Sequence, residues 1–502
     1  MKRRELLSTA ALLGTGMTGR AQTTPAFSDA DLRHADKLLE RALADTQAWA
    51  LLQQLCTDIG ARPAGSAADA RAVAWALGAL RGLKLQNVRS ESLPLRVWQR
   101  GPASATLVVP GAQKPAVPAV PAVPLVDVVP GAPGASSTRD REQPLVMAAL
   151  GNSVPAPPEG IDAEIAWYPD LAALQADNPA SSRARGRIVV IDQKTERTRN
   201  GAGYSAAVGA RSMGASEAAR RGALAVGIRS IGTSRAPIAH TGATRYDLSL
   251  PRIPAFAVSA PDAEDMAALH AAGVQMRLKL KLEARGDVEA TTHNVIAEVP
   301  GTDLKDEIVL ISGHLDSWDL GQGAQDNGAG VAIASAAAGV IMAAGQAPRR
   351  TIRVVLFGNE ENGFDGARAY GDRYKDVVHQ LVGESDFGAG LVYQLNHRVQ
   401  PAAMPLFGDM ARVLAPLGVA WTEGEARNRG GPGPDAALLM RRHRWPAVAL
   451  LQDGTNYFDV HHTEHDTLDR IDPRTLPQNV ACWAVTAWLA AQAPVGFGPP
   501  VL

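Results

Sequence analysis

The sequence predicts an α/β protein: a mostly parallel mixed sheet flanked by helices, into which a smaller β-rich unit is inserted. Two patterns carry this expectation. From His293 onward, apolar strand candidates alternate with helix candidates, as in parallel strands joined by crossover helices. Before that, from about Gln143 to Glu283, short apolar strands are separated by Gly and Pro. A chain of 502 residues, 46% of them hydrophobic, can bury two or three cores. The expected division is a leader over 1–21, a first part of the main domain over 22–130, the insertion over 131–285 and the rest of the main domain over 286–502.

The leader is read from Lys2, Arg3 and Arg4, which precede Glu5-Leu6-Leu7 and a small, apolar run over 8–13. Gly19-Arg20-Ala21 offers a small-residue cleavage site. Twin arginines followed by x-Leu-Leu match a twin-arginine signal, with the general secretory route as the alternative. The expectation is an exported protein, periplasmic or secreted, whose mature form starts near Gln22.

Ser28, with Asp31 three places on, marks a helix start, and Leu32, Ala35, Leu38, Leu39, Ala42 and Leu43 follow with helical period. Two more helices are expected over 49–58 and about 67–80, with a Gly- and Pro-containing break between them. Residues 115–124 repeat Pro-Ala-Val and should run extended, outside any sheet interior. In the insertion, strands are expected at 144–150, 187–191, 223–229 and 255–258, and helices at 210–221 and 261–272. It holds no cluster of His, Cys or acids at ligand spacing, so its expected task is to shape or cover a cleft. Beyond it, strands are expected at 294–299, 307–313, 351–358, 379–385 and 447–451, with helices near 328–344, 366–375 and 434–442.

Fifty Lys and Arg against fifty-one Asp and Glu give a formal charge of -1, which offers no electrostatic case for nucleic acid or an anionic membrane surface. A small neutral or zwitterionic partner, such as a short peptide, fits better. The longest uncharged run, 327–348, is rich in Ala and Gly and opens on polar residues, which favours a buried helix over a membrane span. Cys56 and Cys482 allow at most one bridge, and both lie in helical-looking apolar segments where a pair of inert thiols is equally expected.

The densest chemistry follows Ile308-Val309-Leu310-Ile311. There GHLDSWDLGQGAQDNGAG packs one histidine, three aspartates and several glycines behind a strand. Ligands of such sheets bind outside the carboxyl ends of the strands. His314 and Asp316 fall at that edge, as do Glu360 and Glu361, Asp386, and His462 in the loop after the strand at 447–451. A lone Glu-Glu pair or a lone Asp is usually a solvated surface group, but this set in this order on successive strand ends is not. Zinc-type ions take imidazole nitrogen and carboxylate oxygen, and a two-metal hydrolytic centre needs a bridging carboxylate. Asp326, in a Gly-flanked turn, is the expected bridge; His314 with Asp386 would hold one ion, and Glu361 with His462 the other. Cobalt or manganese would also suit this mixed set.

Such ions bring the pKa of a shared water toward ~7. Glu360 is then the expected general base, on the argument that neighbours at a strand end point to opposite sides. Asp316, two residues after His314, could accept the second imidazole proton and fix the tautomer. Asp319 and Asp435 read as structural turn acids, and His379, His397, His443 and His465 have no partner at ligand spacing. Arg427 and Arg429, in a Gly-rich stretch, read as exposed loop arginines, with a substrate carboxylate as the alternative task.

His314-x-Asp316, Asp326-Asn327-Gly328, Glu360-Glu361, Glu384-Ser385-Asp386 and His462-Thr463-x-x-Asp466-Thr467 resemble the motif set of the co-catalytic zinc aminopeptidase and glutamate carboxypeptidase family. Pro157-Pro158-Glu159-Gly160-Ile161, His240-Thr241-Gly242 and His461-His462 resemble its secreted glutamate carboxypeptidase branch. The resemblance implies a metallopeptidase with two Zn2+ per chain, a protease-associated domain as the insertion, a tendency to form homodimers, and action on dipeptides with free termini. It makes Glu360 the base and His314, Asp326, Glu361, Asp386 and His462 the ligands. Many relatives carry Tyr-His where this chain has His461-His462, so His461 and Tyr457 are both candidates to donate to the oxyanion. Two other classes stand beside this reading: a non-catalytic binding protein on the same fold, and glutaminyl cyclase or aminoacylase-type amide chemistry.

Overall fold

The computed structural model describes residues 26–111, 140–422 and 431–500. The leader, the Pro-Ala-Val repeat, Arg427 and Arg429 lie outside the described residues. In chain order the strands are β1 (Gln86–Val109), β2 (Arg141–Leu145), β3 (Met147–Ala149), β4 (Ile161–Tyr168), β5 (Ile188–Ile191), β6 (Ala225–Arg229) and β7 (Ala255–Val258). They continue with β8 (Arg277–Val299), β9 (Leu304–His314), β10 (Arg350–Phe357), β11 (His379–Glu384), β12 (Val392–Arg398) and β13 (Ala447–Gln452).

The spatial order is β12-β13-β11-β9-β10-β8-β4-β5-β6-β7-β3, with β1 paired to β8 and β2. Four central strands, β13, β11, β9 and β10, run parallel, while β12 and β8 flank them antiparallel. β10 is buried over its whole length and β9 from Ile308 to His314, as expected of parallel strands covered on both faces. The two faces separate with period two. Val309, Ile311, Ile352, Val354 and Leu356 join the large core, whereas Ile308, Leu310, Val355 and Phe357 join a smaller one.

Helices Asp29–Leu43, Ala329–Ala343 and Leu476–Gln492 cover the first face. Asp365–Arg373 and Pro434–His443 cover the other. The first helix begins as expected, with the Ser28 side chain accepting from Asp31 N–H. The segment Ala324–Ala343 is long and apolar enough to cross a membrane, but 89% of its most apolar stretch is buried in the protein, so core packing accounts for its composition. Cys56 and Cys482 are both buried and unpaired.

Between β1 and β8 the chain folds around two further apolar clusters. β4, β5, β6 and β7 are parallel neighbours, with β3 antiparallel at the edge, and helices Gly209–Arg220 and Ala260–Ala271 pack beside them. This unit is therefore itself α/β. Its link to the main sheet was not anticipated: β1 and β8 form an antiparallel ribbon, paired from Gln86–Glu298 to Val108–Arg277. The ribbon's middle alternates half-buried and exposed residues, so it lacks the apolar run that betrays a buried strand. β12 and helix Met404–Leu414 also went unanticipated.

Candidate metal centre

Each candidate residue is delivered by a different turn at the carboxyl edge of the central strands. His314 ends β9, and the chain then passes through a loop held by Arg62. This fully buried guanidinium donates to the carbonyls of Leu315 (2.6 Å), Gln322 (2.7 Å), Gly323 (3.0 Å) and Gly60 (3.2 Å). The loop ends in an irregular turn, Ala324–Gly328, in which Asp326 departs from helical dihedrals and so leaves the axis of the helix that follows. Gly330 is required here: a Cβ would lie 1.8 Å from the Ser385 carbonyl oxygen.

Glu360 and Glu361 do not alternate across a strand end. Asn359 adopts φ 61°, and the two acids open a short helix, Glu360–Gly363. Successive side chains then diverge by ~100° around its axis. Asp316 sets this turn: its Oδ1 accepts Glu360 N–H at 3.1 Å and Oδ2 accepts Glu361 N–H at 3.4 Å. Its carboxylate lies 3.6 Å from His314 Nδ1, while the closer partner of that nitrogen, at 3.0 Å, is the Asp316 backbone carbonyl. Asp386 follows β11, where Ser385 N–H donates to Ser312 O of β9 at 2.9 Å.

These turns converge on one carboxylate. Asp326 places Oδ1 3.1 Å from His314 Nε2 and Oδ2 3.0 Å from His462 Nε2. Glu361 Oε2 is 3.1 Å from His462 Nε2, and Asp386 Oδ1 is 3.5 Å from His314 Nε2. The ligand atoms of His314, Asp326 and Glu361 lie within 4.8 Å of one another, as do those of Asp326, His461 and His462. His461 thus joins the ring of donors, with Nε2 3.4 Å from Asp326 Oδ2 and its imidazole stacked on that of His462 at 3.5 Å.

The electrostatics are those of a cation site. Burial pushes the Glu360 carboxyl well up, with Asp386, Glu361 and Asp326 adding to it against His314. Burial, then Asp326, lifts Glu361 to about 7. Burial also raises Asp386, against the pull of His314. Asp326 goes the other way: burial would raise it, but hydrogen bonds with His314 and His462 hold it well below the usual range. Glu361 Oε1 and Asp386 Oδ1 are buried without hydrogen bonds. Crowded carboxylates with free oxygens next to imidazole nitrogens form a donor set that dications stabilise.

Above the centre is a cavity of about 780 Å³, lined by Asp326, Glu360, Glu361, Asp386, Tyr457 and His461. The insertion supplies its other wall, including Tyr204, Arg211 and Arg245. It also holds the ligand turn directly. His240 Nδ1 meets the His461 carbonyl at 2.7 Å, Thr241 N–H donates to the His462 carbonyl at 2.9 Å, and Arg211 Nη1 lies 3.3 Å from His462 Nδ1. Arg62 and Arg211 carried no recognisable sequence signal, and His240-Thr241-Gly242 stood out only as part of the family resemblance, with no contact attached to it. Asp319 pairs with Arg100 at 2.7 Å. Asp435, expected as a turn acid, is instead fully buried at the start of helix Pro434–His443: its backbone N–H donates to Glu384 Oε2 at 2.8 Å, and burial and then the charge of Glu360 push its carboxyl well up, which places it close to the donor ring. His379 stacks on Trp445 at 3.6 Å and His397 lies 4.3 Å from the Phe407 ring, as structural residues do.

The profile of peptidase family M28 matches residues 294–487, which include every candidate ligand. Carboxypeptidase Q of Bos taurus is 32% identical over 450 residues, covering 89% of this chain and 86% of its own length. The chain belongs to peptidase family M28. Human carboxypeptidase Q is 31% identical over the same coverage. Among solved structures, a peptidase M28 precursor from Shewanella amazonensis superposes on this M28 peptidase with a TM-score of 0.84 at 39% identity, covering 94% of this chain and 99% of its own. A zinc aminopeptidase from Bacillus subtilis, 20% identical, shares the fold with a TM-score of 0.57 over 88% of this chain and 94% of its own.

Proposed function

We propose that this M28 peptidase is an exported zinc exopeptidase that hydrolyses dipeptides or removes terminal residues from short peptides. The division of Asp326 between two histidines carries the reading. With Oδ1 toward His314 and Oδ2 toward His462, one carboxylate is shared by two half-sites, completed by Asp386 on one side and Glu361 on the other. Their orphaned buried oxygens fit cation ligands. When bound, a pair of zinc-type ions supplies Lewis acidity that polarises the scissile carbonyl and brings a water's pKa toward ~7.

The protein's own groups do the rest. Glu360, on the cleft wall beside the donor ring, accepts a proton from the attacking water and returns it to the leaving amine nitrogen. Asp316 orients both glutamates by accepting their backbone N–H groups. His461 or Tyr457, both lining the cleft, donates to the developing oxyanion. The inserted unit acts as the protease-associated domain, closing one side of the cleft and excluding water. Carboxypeptidase Q and the zinc aminopeptidases among the relatives favour exopeptidase action.

The test is a metal-resolved screen of the mature protein on free, N-blocked and C-blocked dipeptides. Release of amino acids from free dipeptides at two zinc per chain supports the reading. Cyclisation of N-terminal glutamine or deacylation without dipeptide cleavage would replace it with other amide chemistry. Metal analysis showing no stoichiometric ion would point to a binding protein.

A further inference from the structure

A second cavity, of about 770 Å³, shares a wall with the cleft. In the turn that carries the histidine pair, Tyr457, Phe458, His461 and His462 face the cleft, whereas Asp459 and Val460 face this other space. The inserted unit supplies most of the rest through Lys194, Thr195, Arg197, Arg229 and Arg235, and Arg470 also lines it.

Its charge is unbalanced. Five Lys and Arg line the cavity against two acids, Glu264 and Asp459. Asp459 is already committed: Arg197 reaches its two oxygens at 2.5 and 2.9 Å, and the Thr233 hydroxyl donates to Oδ1 at 2.8 Å. Arg229 gives Nε to Asp192 at 2.6 Å, and Glu264 approaches its Nη1 only to 3.5 Å. The side chains of Lys194 and Arg235 make no ion pair or hydrogen bond among the described residues, and the acid nearest the Arg470 guanidinium is Asp469 at 3.6 Å.

Two donors of this wall are also left over. Arg229, only 5% exposed, has Nη2 buried without a hydrogen bond, and so has Thr195 its hydroxyl. Buried donors are almost always paired in folded proteins, because an unpaired one keeps its full desolvation penalty. Two such donors in one wall, next to uncommitted cations, call for acceptor oxygens brought from outside.

We propose that this cavity binds a small oxyanion of two or more negative charges, of the phosphate or polycarboxylate class, with Thr195 and Arg229 as inner donors and Lys194 and Arg235 as outer ones. The one unpaired guanidinium nitrogen, Arg229 Nη2, and the Thr195 hydroxyl offer donors to two oxygens of such a group, and the charge of the guanidinium strengthens the first of them. Lys194 and Arg235, the two cations of the wall without an ion-pair partner among the described residues, match an anion of two charges better than a single-charged one. Bound there, the anion braces the back of the turn whose front carries His461 and His462. The site is separate from the metal centre and does not depend on the peptidase reaction.

The experiment is calorimetric titration of the metal-loaded full chain with inorganic phosphate and, separately, with propane-1,2,3-tricarboxylate, at ionic strength held constant with chloride. The comparison proteins are the doublet Lys194→Ala/Arg235→Ala and the single Thr195→Val, whose melting temperatures without anion show that each is folded. The expected result is saturable binding of one of the two anions. Its affinity should fall at least tenfold in the doublet and several-fold in Thr195→Val. The anion that shows this loss identifies the ligand class. No saturable binding of either anion, or affinities unchanged in both variants, would overturn the proposal; the second outcome would assign the anion to the metal centre.

Discussion

Asp466 accepts the backbone N–H of Asp326 through Oδ2 at 3.1 Å, and that of Gln325 through Oδ1 at 2.6 Å. An acid that contributes nothing to the donor ring thus fixes the peptide on which the shared carboxylate sits. It is buried, and burial and then the charge of Asp326 lift it to about 7, against its two backbone hydrogen bonds. Replacing Asp466 with Ala leaves two N–H groups without their acceptor, which should cost about 3 kcal/mol of stability. Metal content should fall below that of the parent protein. Urea unfolding and elemental analysis check both, and an unchanged midpoint with full metal content would remove Asp466 from this role.

Glu360 accepts no side-chain task in holding the fold; its backbone alone is tied to Asp316. On the proposed reading, Glu360→Gln should keep the metal content of the parent protein while lowering kcat by a factor of about 100 to 10,000, the range for loss of a general base. Steady-state kinetics alongside metal analysis separates the two effects. Activity that survives the change assigns the proton transfer to another group.

Arg62 satisfies three carbonyls of the loop that leads to Asp326, those of Leu315, Gln322 and Gly323, and that of Gly60 in its own turn. Arg62→Met keeps much of the side-chain volume but removes every donor, so the loss should exceed about 3 kcal/mol. Arg62→Lys cannot reach four divergent acceptors and should recover only part of it. Equal stability of all three proteins in denaturant titration would contradict this account.

His379 gives a pH signature away from the metal centre. Its Nδ1 faces the Val377 carbonyl and its Nε2 the Tyr370 hydroxyl, each at 2.9 Å, an arrangement that suits the neutral ring. Burial lowers its pKa to about 3 in the folded state. The unfolded chain, with an ordinary value near ~6.5, binds the extra proton between those limits. This contribution is therefore present in full above pH ~6.5 and is lost on acidification toward pH 3, by about 1.4 kcal/mol per unit. The stability gap between the parent and His379→Gln should accordingly narrow from pH 7.5 to pH 5. A gap independent of pH would show that the imidazole titrates normally.

Much of the main sheet was legible because β9, β10 and β13 carry buried apolar runs bounded by turn residues. The convergence of the candidate residues was legible for a related reason: parallel strands release their chemistry at one edge, so His314, Glu361, Asp386 and His462 could be placed together without coordinates. The ribbon of β1 and β8 was not, since Ser90, Pro94, Arg96, Glu289 and Thr291 resemble loop composition and owe their strand geometry to each other. The reason why the Glu360 and Glu361 side chains diverge also changed. It lies in a helical turn ordered by Asp316, a contact across 44 residues that no local pattern encodes. Arg62 and Arg211 were invisible for the same reason, because each acts on backbone or imidazole far away in the chain, and Asp466 stood only as a member of the His462-Thr463-x-x-Asp466-Thr467 motif with no role attached.

The grip of His240, Thr241 and Arg211 on the His461–His462 turn bears on how this protein can be cut or recombined. A version trimmed to residues 294–487, the span that matches the family profile, would keep every candidate ligand yet lose the scaffold that aims one of them. Any recombinant that exchanges or shortens the stretch between β1 and β8 must therefore supply a new clasp for that histidine, so the two parts can be transplanted only together.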